Sequence, residues 1–154
     1  MTGREADATL ILVGDNRTSP HQDPLALAAR VGAAGRVEWR DYVPDDELTA
    51  LYRRARAFVF LSDYEGFAMT PLEAIAHGVP PVLLDTPVAR EVYGQAARYV
   101  PPDPGAIAAA IEDLLTRPDE RARLLAEGQI LLERYTWARA ARDVRAALEQ
   151  AADV

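Results

Sequence analysis

The chain has 154 residues, a formal net charge of −7 and no cysteine, a length that suits one domain with a substantial core. The absence of cysteine excludes a disulfide scaffold, thiolate-held zinc and thiol catalysis, and the acidic balance argues against general nucleic-acid binding. No apolar run is long enough to cross a membrane, and the first residues lack the apolar core of a secretory signal. We therefore expect a cytoplasmic protein without a transmembrane segment.

Short apolar runs, typical of buried parallel strands, alternate with helical patterns along the chain. In chain order, the sequence predicts strand 9–13, helix 24–31, strand 36–39, helix 45–56, strand 57–61, helix 72–77, strands 81–84 and 97–100, and helices 104–116, 118–135 and 136–151. This alternation predicts an α/β fold, a Rossmann-like doubly wound parallel sheet with flanking helices. In such a fold, ligands bind beyond the carboxyl ends of the strands.

Local signals support several of these boundaries. Asp23 stands immediately before Pro24, which is the order of an N-cap residue and a proline in the first turn. Gly32 is placed to end that helix. The helix that begins at Asp45 carries three consecutive acids in its first turn, which suits the helix dipole.

The segment after the third predicted strand carries the chemistry most relevant to function. Glu65 and Glu73 lie eight positions apart and flank Gly66 and the start of a helix. Carboxylates accept hydrogen bonds from sugar hydroxyls, and a helix N-terminus attracts phosphate groups. This arrangement suits a sugar nucleotide.

Each part of this segment also has a purely structural interpretation. The sequence from Thr70 to Glu73 has the form of a capping box, with Thr70 as the N-cap. Glu65 could be a solvated loop acid. Phe67 and Met69 favour packing over ligand contact. Glu65 therefore carries the sharper functional hypothesis.

These residues resemble the C-terminal, donor-binding domain of the family 4 retaining glycosyltransferases of the GT-B fold, which include relatives of sucrose and glycogen synthases. The family motif E-G-F-G-x-x-x-L-E, followed by A-x-A-x-G-x-P-V, is similar to residues 65–73 and the segment after them. Four further segments occur in the family's order. They resemble V-G-D-G, G-Y-V-x-x-x-E-L, A-A-L-L-V-x-P-x-D-P and F-S-W, and they start at residues 12, 42, 96 and 135.

The resemblance implies a site for a nucleotide-sugar donor such as a UDP- or GDP-sugar, with no metal and no other cofactor. It implies that the catalytic residue Glu65 faces the transferred sugar, that Glu73 accepts the ribose hydroxyls, and that Gly14 leaves room near the diphosphate. By the same resemblance, the backbone of residues 42–43 would contact the base. Backbone N–H groups of residues 67–69 would hold the sugar hydroxyls and the diphosphate. Residues 70 and 72 would line the phosphate end of the site. The remaining donor-binding residues implied in this way are Tyr42, Val43, Gly66, Phe67, Ala68, Met69, Thr70 and Leu72.

The chain also departs from the family pattern. Ala68 replaces the third motif glycine, which would be costly if that position requires a positive φ. Residues 86–91 stand where the family often has a Gly-Gly pair followed by Pro-Glu. If residues 9–13 correspond to the family's second strand, as the resemblance implies, we expect the first strand, and the Arg and Lys that grip the diphosphate in their usual place, to have no counterpart in residues 1–154. In the doubly wound order that strand is central, so residues 9–13 would pair directly with residues 57–61 or leave a gap.

The resemblance therefore implies that residues 1–154 form one donor-binding domain of a glycosyltransferase that transfers a sugar with retention of configuration in glycan biosynthesis. We expect the isolated chain to be inactive, because the acceptor-binding domain must be supplied in cis or in trans. The predicted helix 136–151 is expected to expose an apolar stripe for that domain, with packing on its own sheet as the alternative. The alternative function is a non-catalytic or degenerate module that binds sugar nucleotides or serves assembly. A sugar-nucleotide epimerase is a weaker rival, because its motifs differ.

Overall fold

A computed structural model describes residues 8–17 and 19–152, which divide in sequence between Leu51 and Tyr52 into two units. In the first unit, β1 (Leu10–Val13) pairs in parallel with β2 (Val37–Arg40). The connection contains α1 (Pro24–Arg30) and a short 3₁₀ turn. The Asp23 carboxylate accepts two hydrogen bonds from N–H groups of the first turn of α1, as the sequence predicts.

The second unit is built on a three-stranded parallel sheet in the order β3-β4-β5. These strands are β3 (Phe58–Phe60), β4 (Pro81–Leu84) and β5 (Arg98–Val100). The helices of the chain after α1 are α2 (Asp45–Arg54), α3 (Thr70–Ala76), α4 (Pro87–Tyr93), α5 (Pro104–Thr116), α6 (Pro118–Arg134) and α7 (Trp137–Ala152).

Strand β4 is buried along its whole length and organises the core of this unit. Leu83 packs on one face in a cluster with Ile75 and Leu131, whereas the flanking residues Val82 and Leu84 pack on the other face. Successive side chains of a strand point to opposite faces, so one four-residue strand supplies both halves of the core. The predicted α/β class, with parallel strands and flanking helices, is confirmed.

The strand pairing answers one question left by the sequence. The ladders join β1 to β2, β3 to β4, and β4 to β5. Direct pairing of residues 9–13 with residues 57–61 therefore does not occur among the described strands. The prediction that residues 1–154 form a single donor domain stays a prediction.

Helix α4 lies where the sequence suggested only a divergent loop. The Thr86 hydroxyl accepts a hydrogen bond from the N–H of Ala89 at 3.1 Å, and Pro87 opens the helix. Val92 and Tyr93 at its end are buried in the core. A threonine followed by proline is typical of a helix start, and burial of the last residues of the helix stabilises it further.

The predicted capping box at Thr70 is wrong. Thr70 is already helical, and the helix is preceded by Met69, whose carbonyl accepts the N–H groups of Leu72 and Glu73. No side-chain cap is present at this end. The helix starts one residue earlier than the box requires, so the hydroxyl of Thr70 cannot take the N-cap role.

Candidate functional site

Glu65 lines a shallow pocket in the second unit, beyond the carboxyl ends of β3 and β4. Its side chain is partly buried, on the loop that connects β3 to α3. The other pocket-lining residues include Phe60, Ser62, Ala68, Thr86 and Tyr93. A carboxylate is thus placed in a concave, largely apolar setting at the edge where α/β folds bind ligands.

Ala68 has a left-handed backbone conformation, with φ of 63°. The side chain of an L-residue is crowded there, at a cost of roughly 1–2 kcal/mol. The hydroxyl of Tyr93, a residue that is 1% exposed, donates a hydrogen bond to the Ala68 carbonyl. Position 68 therefore has a backbone conformation that glycine would adopt more easily than alanine.

The turn leaves a run of backbone donors without protein partners. Among the described residues, the N–H groups of residues 66–70 have no hydrogen-bond acceptor. They lie between Glu65 and the start of α3, where the helix dipole adds partial positive charge. Consecutive free N–H groups can bind an anion or hydroxyl oxygens.

The side chains in this turn differ in their surroundings. The ring of Phe67 packs edge-on against Tyr135, with ring centroids 5.1 Å apart and an interplanar angle of 83°. Met69 is exposed. For Phe67 this agrees with the packing interpretation of its side chain, whereas its N–H remains among the free donors.

Glu73 projects from α3 and its side chain is exposed. Its Oε2 accepts a hydrogen bond from the Tyr52 hydroxyl at 3.3 Å. Burial, followed by the charge of Glu73, raises the pKa of Tyr52 to about 12. Thr70 and Leu72 lie on the same helix, Thr70 exposed and Leu72 partly buried.

The first unit holds the remaining predicted site residues. Gly14 has a φ of 135°, a conformation that strongly favours glycine, and an added Cβ would meet open space. Its N–H donates to the Arg40 carbonyl at 3.0 Å, and its own carbonyl accepts from the Trp39 indole at 2.9 Å. Tyr42 is 80% exposed, whereas Val43 is buried.

Residues 2–117 match the family described as "Glycosyl transferases group 1". The chain belongs to this family. Among curated relatives of this glycosyltransferase chain, O-antigen chain mannosyltransferase B of Escherichia coli is 37% identical over 112 residues, which are 72% of this chain and 29% of the relative. The MMP alpha-(1->4)-mannosyltransferase of Mycolicibacterium hassiacum is 32% identical over 152 residues, 96% of this chain and 36% of the relative.

The fold agrees with solved glycosyltransferase structures. Sucrose-phosphate synthase from Thermosynechococcus elongatus matches with a TM-score of 0.80 and 23% identity, over 95% of this chain and 39% of that chain. The described residues thus correspond to the C-terminal half of a GT-B fold. The chain spans 29% and 36% of the length of the two mannosyltransferases above.

Two tyrosines of this glycosyltransferase chain were missed by sequence reasoning. Tyr52 contacts Glu73, 21 residues away, and Tyr93 contacts Ala68, 25 residues away. Tyr52 lies in a predicted helix and Tyr93 in a segment for which no helix was predicted, and no local pattern shows which residue the hydroxyl of either tyrosine contacts. The sole available signal was that a buried phenol needs a hydrogen-bond partner.

The described part of the chain has neither a cluster of metal-binding side chains nor a membrane-spanning helix. Within residues 8–17 and 19–152, no group of three or more His, Asp or Glu side chains could hold a metal ion. No helix in the same ranges is both long and apolar enough to cross a membrane.

Proposed function

We propose that this chain is the donor-binding part of a retaining, family 4 glycosyltransferase that transfers a hexose from a nucleotide sugar to an acceptor. The single observation that carries the proposal is the run of free N–H groups at residues 66–70, between Glu65 and Glu73. Group 1 membership and the mannosyltransferase names of its relatives support the reaction class. A UDP- or GDP-sugar is the proposed donor.

The chemistry of this transfer explains the use of N–H donors. When the sugar departs, negative charge develops on the nucleoside diphosphate that leaves. Oriented N–H groups beside a helix N-terminus stabilise that charge without reorganising. We propose that residues 66–70 take this task, with no metal or other cofactor, and that Gly14 leaves room for the diphosphate.

The two carboxylates are proposed to act at opposite ends of the donor. Glu65, in its partly buried pocket, faces the transferred sugar and is the proposed catalytic residue. Glu73, exposed on α3, accepts hydrogen bonds from the ribose hydroxyls. Thr70 and Leu72 line the phosphate end, and the backbone of Tyr42 and Val43 contacts the base.

Transfer is proposed to require an acceptor-binding domain, in cis or in trans. The curated relatives named above are about three times as long as the segment that they share with this chain. We expect the 154-residue chain to bind donor but to transfer sugar at a negligible rate. Activity restored by adding or fusing an acceptor domain would support this division of labour.

The proposal is tested by calorimetric titration of the chain with UDP, GDP, UDP-glucose and GDP-mannose. Binding of at least one nucleotide is expected, with loss of about tenfold or more in Glu65→Ala for the sugar nucleotide only and in Glu73→Ala for both forms. Glu133→Ala, an exposed glutamate of α6, is the matched control and should bind normally. No binding by any of the four ligands would contradict the proposal.

One observation favours the alternative, a degenerate module. Ala68 keeps a conformation that glycine would adopt without strain. If the site no longer binds nucleotides, binding should be undetectable in the unsubstituted chain and should stay undetectable in Ala68→Gly. If the site is active, the same change should preserve or tighten binding, because it relaxes the turn that presents the N–H groups.

A further inference from the structure

Tyr52 contacts the candidate ribose-binding carboxylate from inside the core. Its side chain is 7% exposed, and its hydroxyl donates to Oε2 of Glu73 at 3.3 Å. Within the described ranges, this carboxylate is the only hydrogen-bond partner of the hydroxyl. The contact therefore links a buried donor to an exposed functional acid.

The ring of Tyr52 packs against two other aromatic rings. His77 stacks on it with centroids 5.1 Å apart and planes inclined by 17°, and Phe58 packs at 5.8 Å with a tilt of 51°. His77 is held in turn, since its Nδ1 lies 2.8 Å from the Glu73 carbonyl oxygen. Packing against two aromatic rings restricts the direction of the phenol.

The hydrogen bond from the Tyr52 hydroxyl restricts the orientation of the Glu73 carboxylate. An exposed glutamate side chain samples several rotamers, and binding a ligand requires that this freedom be lost. A hydrogen bond to Oε2 biases the carboxylate toward one orientation before the ligand arrives. It leaves Oε1 and a remaining lone pair of Oε2 available for hydroxyl donors.

We infer that Tyr52 is a positioning residue that pre-orients Glu73 for the vicinal diol of a nucleoside diphosphate ribose. The inference rests on the proposed function, because it assigns a partner to the carboxylate that this function uses. Tyr52 touches no ligand itself. Burial and the charge of Glu73 raise its pKa to about 12, so it is a protonated donor at neutral pH.

The test compares Tyr52→Phe with the unchanged chain, using UDP and GDP together with their dideoxyribose analogues, which lack the diol. Phenylalanine keeps the stacking and removes only the hydroxyl. Affinity for the nucleotide with a ribose should fall about threefold to tenfold, the scale of one hydrogen bond. Affinity for the dideoxyribose analogue should not change, since Glu73 has no diol to accept from.

Tyr99→Phe is the matched control. It removes a partly buried phenol whose hydroxyl donates to the backbone carbonyls of Ala89 and Gly94. Both ligands should bind this variant as they bind the unchanged chain. In the Glu73→Gln background, Tyr52→Phe should add less loss than it does alone.

Each other outcome overturns the inference. Equal weakening of ribose and dideoxyribose ligands would assign Tyr52 a general structural role, and unchanged binding of both would remove any role. Absence of UDP and GDP binding by the unchanged chain would overturn the proposed function as well. If Tyr52→Phe does not fold, His77→Ala loosens the Tyr52 ring by removing its stacking partner and must reproduce the diol-selective loss.

Discussion

Ala68 shows how one residue can carry backbone strain at a candidate site. Its φ of 63° lies in the left-handed region, where an L-residue with a Cβ costs roughly 1–2 kcal/mol. Ala68→Gly should raise the free energy of unfolding by up to about 1 kcal/mol, because relief of strain exceeds the extra entropy of glycine in the unfolded chain. Denaturant unfolding measures this difference.

The matched control is Ala109→Gly, an exposed alanine inside α5. There glycine should lower stability by about 0.5–1 kcal/mol, since the helical conformation suits alanine better. Destabilisation of similar size at position 68 would contradict strain at that residue.

Helices α3 and α6 approach closely through one glycine of α6. A Cβ added to Gly128 would lie 2.5 Å from Cγ2 of Ile75, a fully buried side chain of α3. Gly128→Ala should therefore lower the free energy of unfolding by about 1–3 kcal/mol, despite the higher helix propensity of alanine. Gly35→Ala, which meets no atom within 4 Å, should change stability little, as thermal unfolding of both variants can show.

Helix α7 presents an apolar stripe that the rest of the described chain leaves exposed. Trp137 is 89% exposed, Val144 and Leu148 share its face, and no residue of the helix is buried. The exposure of these side chains agrees with the expected apolar stripe and not with the alternative, packing of the helix on its own sheet. Docking of the stripe on an acceptor domain stays a prediction.

Trp137→Ala should consequently change the stability of the isolated chain by less than about 0.5 kcal/mol. Leu124→Ala, at a fully buried position of α6, should cost about 2–5 kcal/mol in the same denaturant titration. A large loss at position 137 would indicate that the helix packs on its own unit.

For the whole molecule, acid sensitivity should reflect carboxylates held by arginines. A hydrogen bond from Arg123 and the charges of Arg123, Arg98 and Arg117 lower the pKa of Glu120 from its ordinary 4.5, despite partial desolvation. Since the folded pKa lies below the unfolded value, the stabilisation is complete above about pH 4.5. It is lost as pH falls through the lowered folded pKa.

Glu120→Gln should therefore reduce stability at neutral pH and flatten its dependence on pH below 4.5. Thermal unfolding across an acid series measures both effects. Glu112→Gln, at an exposed glutamate of α5, is the matched control for the loss of one carboxylate. An unaltered profile in Glu120→Gln would show that this carboxylate does not couple folding to pH.

Much of the candidate site could be predicted because it is local in sequence. Glu65 and Glu73 belong to one continuous strand–loop–helix segment, and the positive φ that the sequence analysis considered for position 68 is observed. The start of α3 was predicted incorrectly. The capping-box pattern places the N-cap at Thr70, whereas the turn before the helix, whose Ala68 carbonyl accepts a hydrogen bond from Tyr93, makes Thr70 the first helical residue. The roles of Glu65 and Glu73 stay predictions.

The sequence by itself determined the alternation of strands and helices, the cap at Asp23, and the family motif. These follow from hydrophobic periodicity and from hydrogen bonds that span only a few residues. Only the tertiary structure decided that Tyr52 reaches Glu73, that Tyr93 holds Ala68, and that Gly128 admits Ile75. Those contacts depend on how whole elements pack against one another, because packing fixes the direction of each side chain. No local sequence pattern specifies that packing.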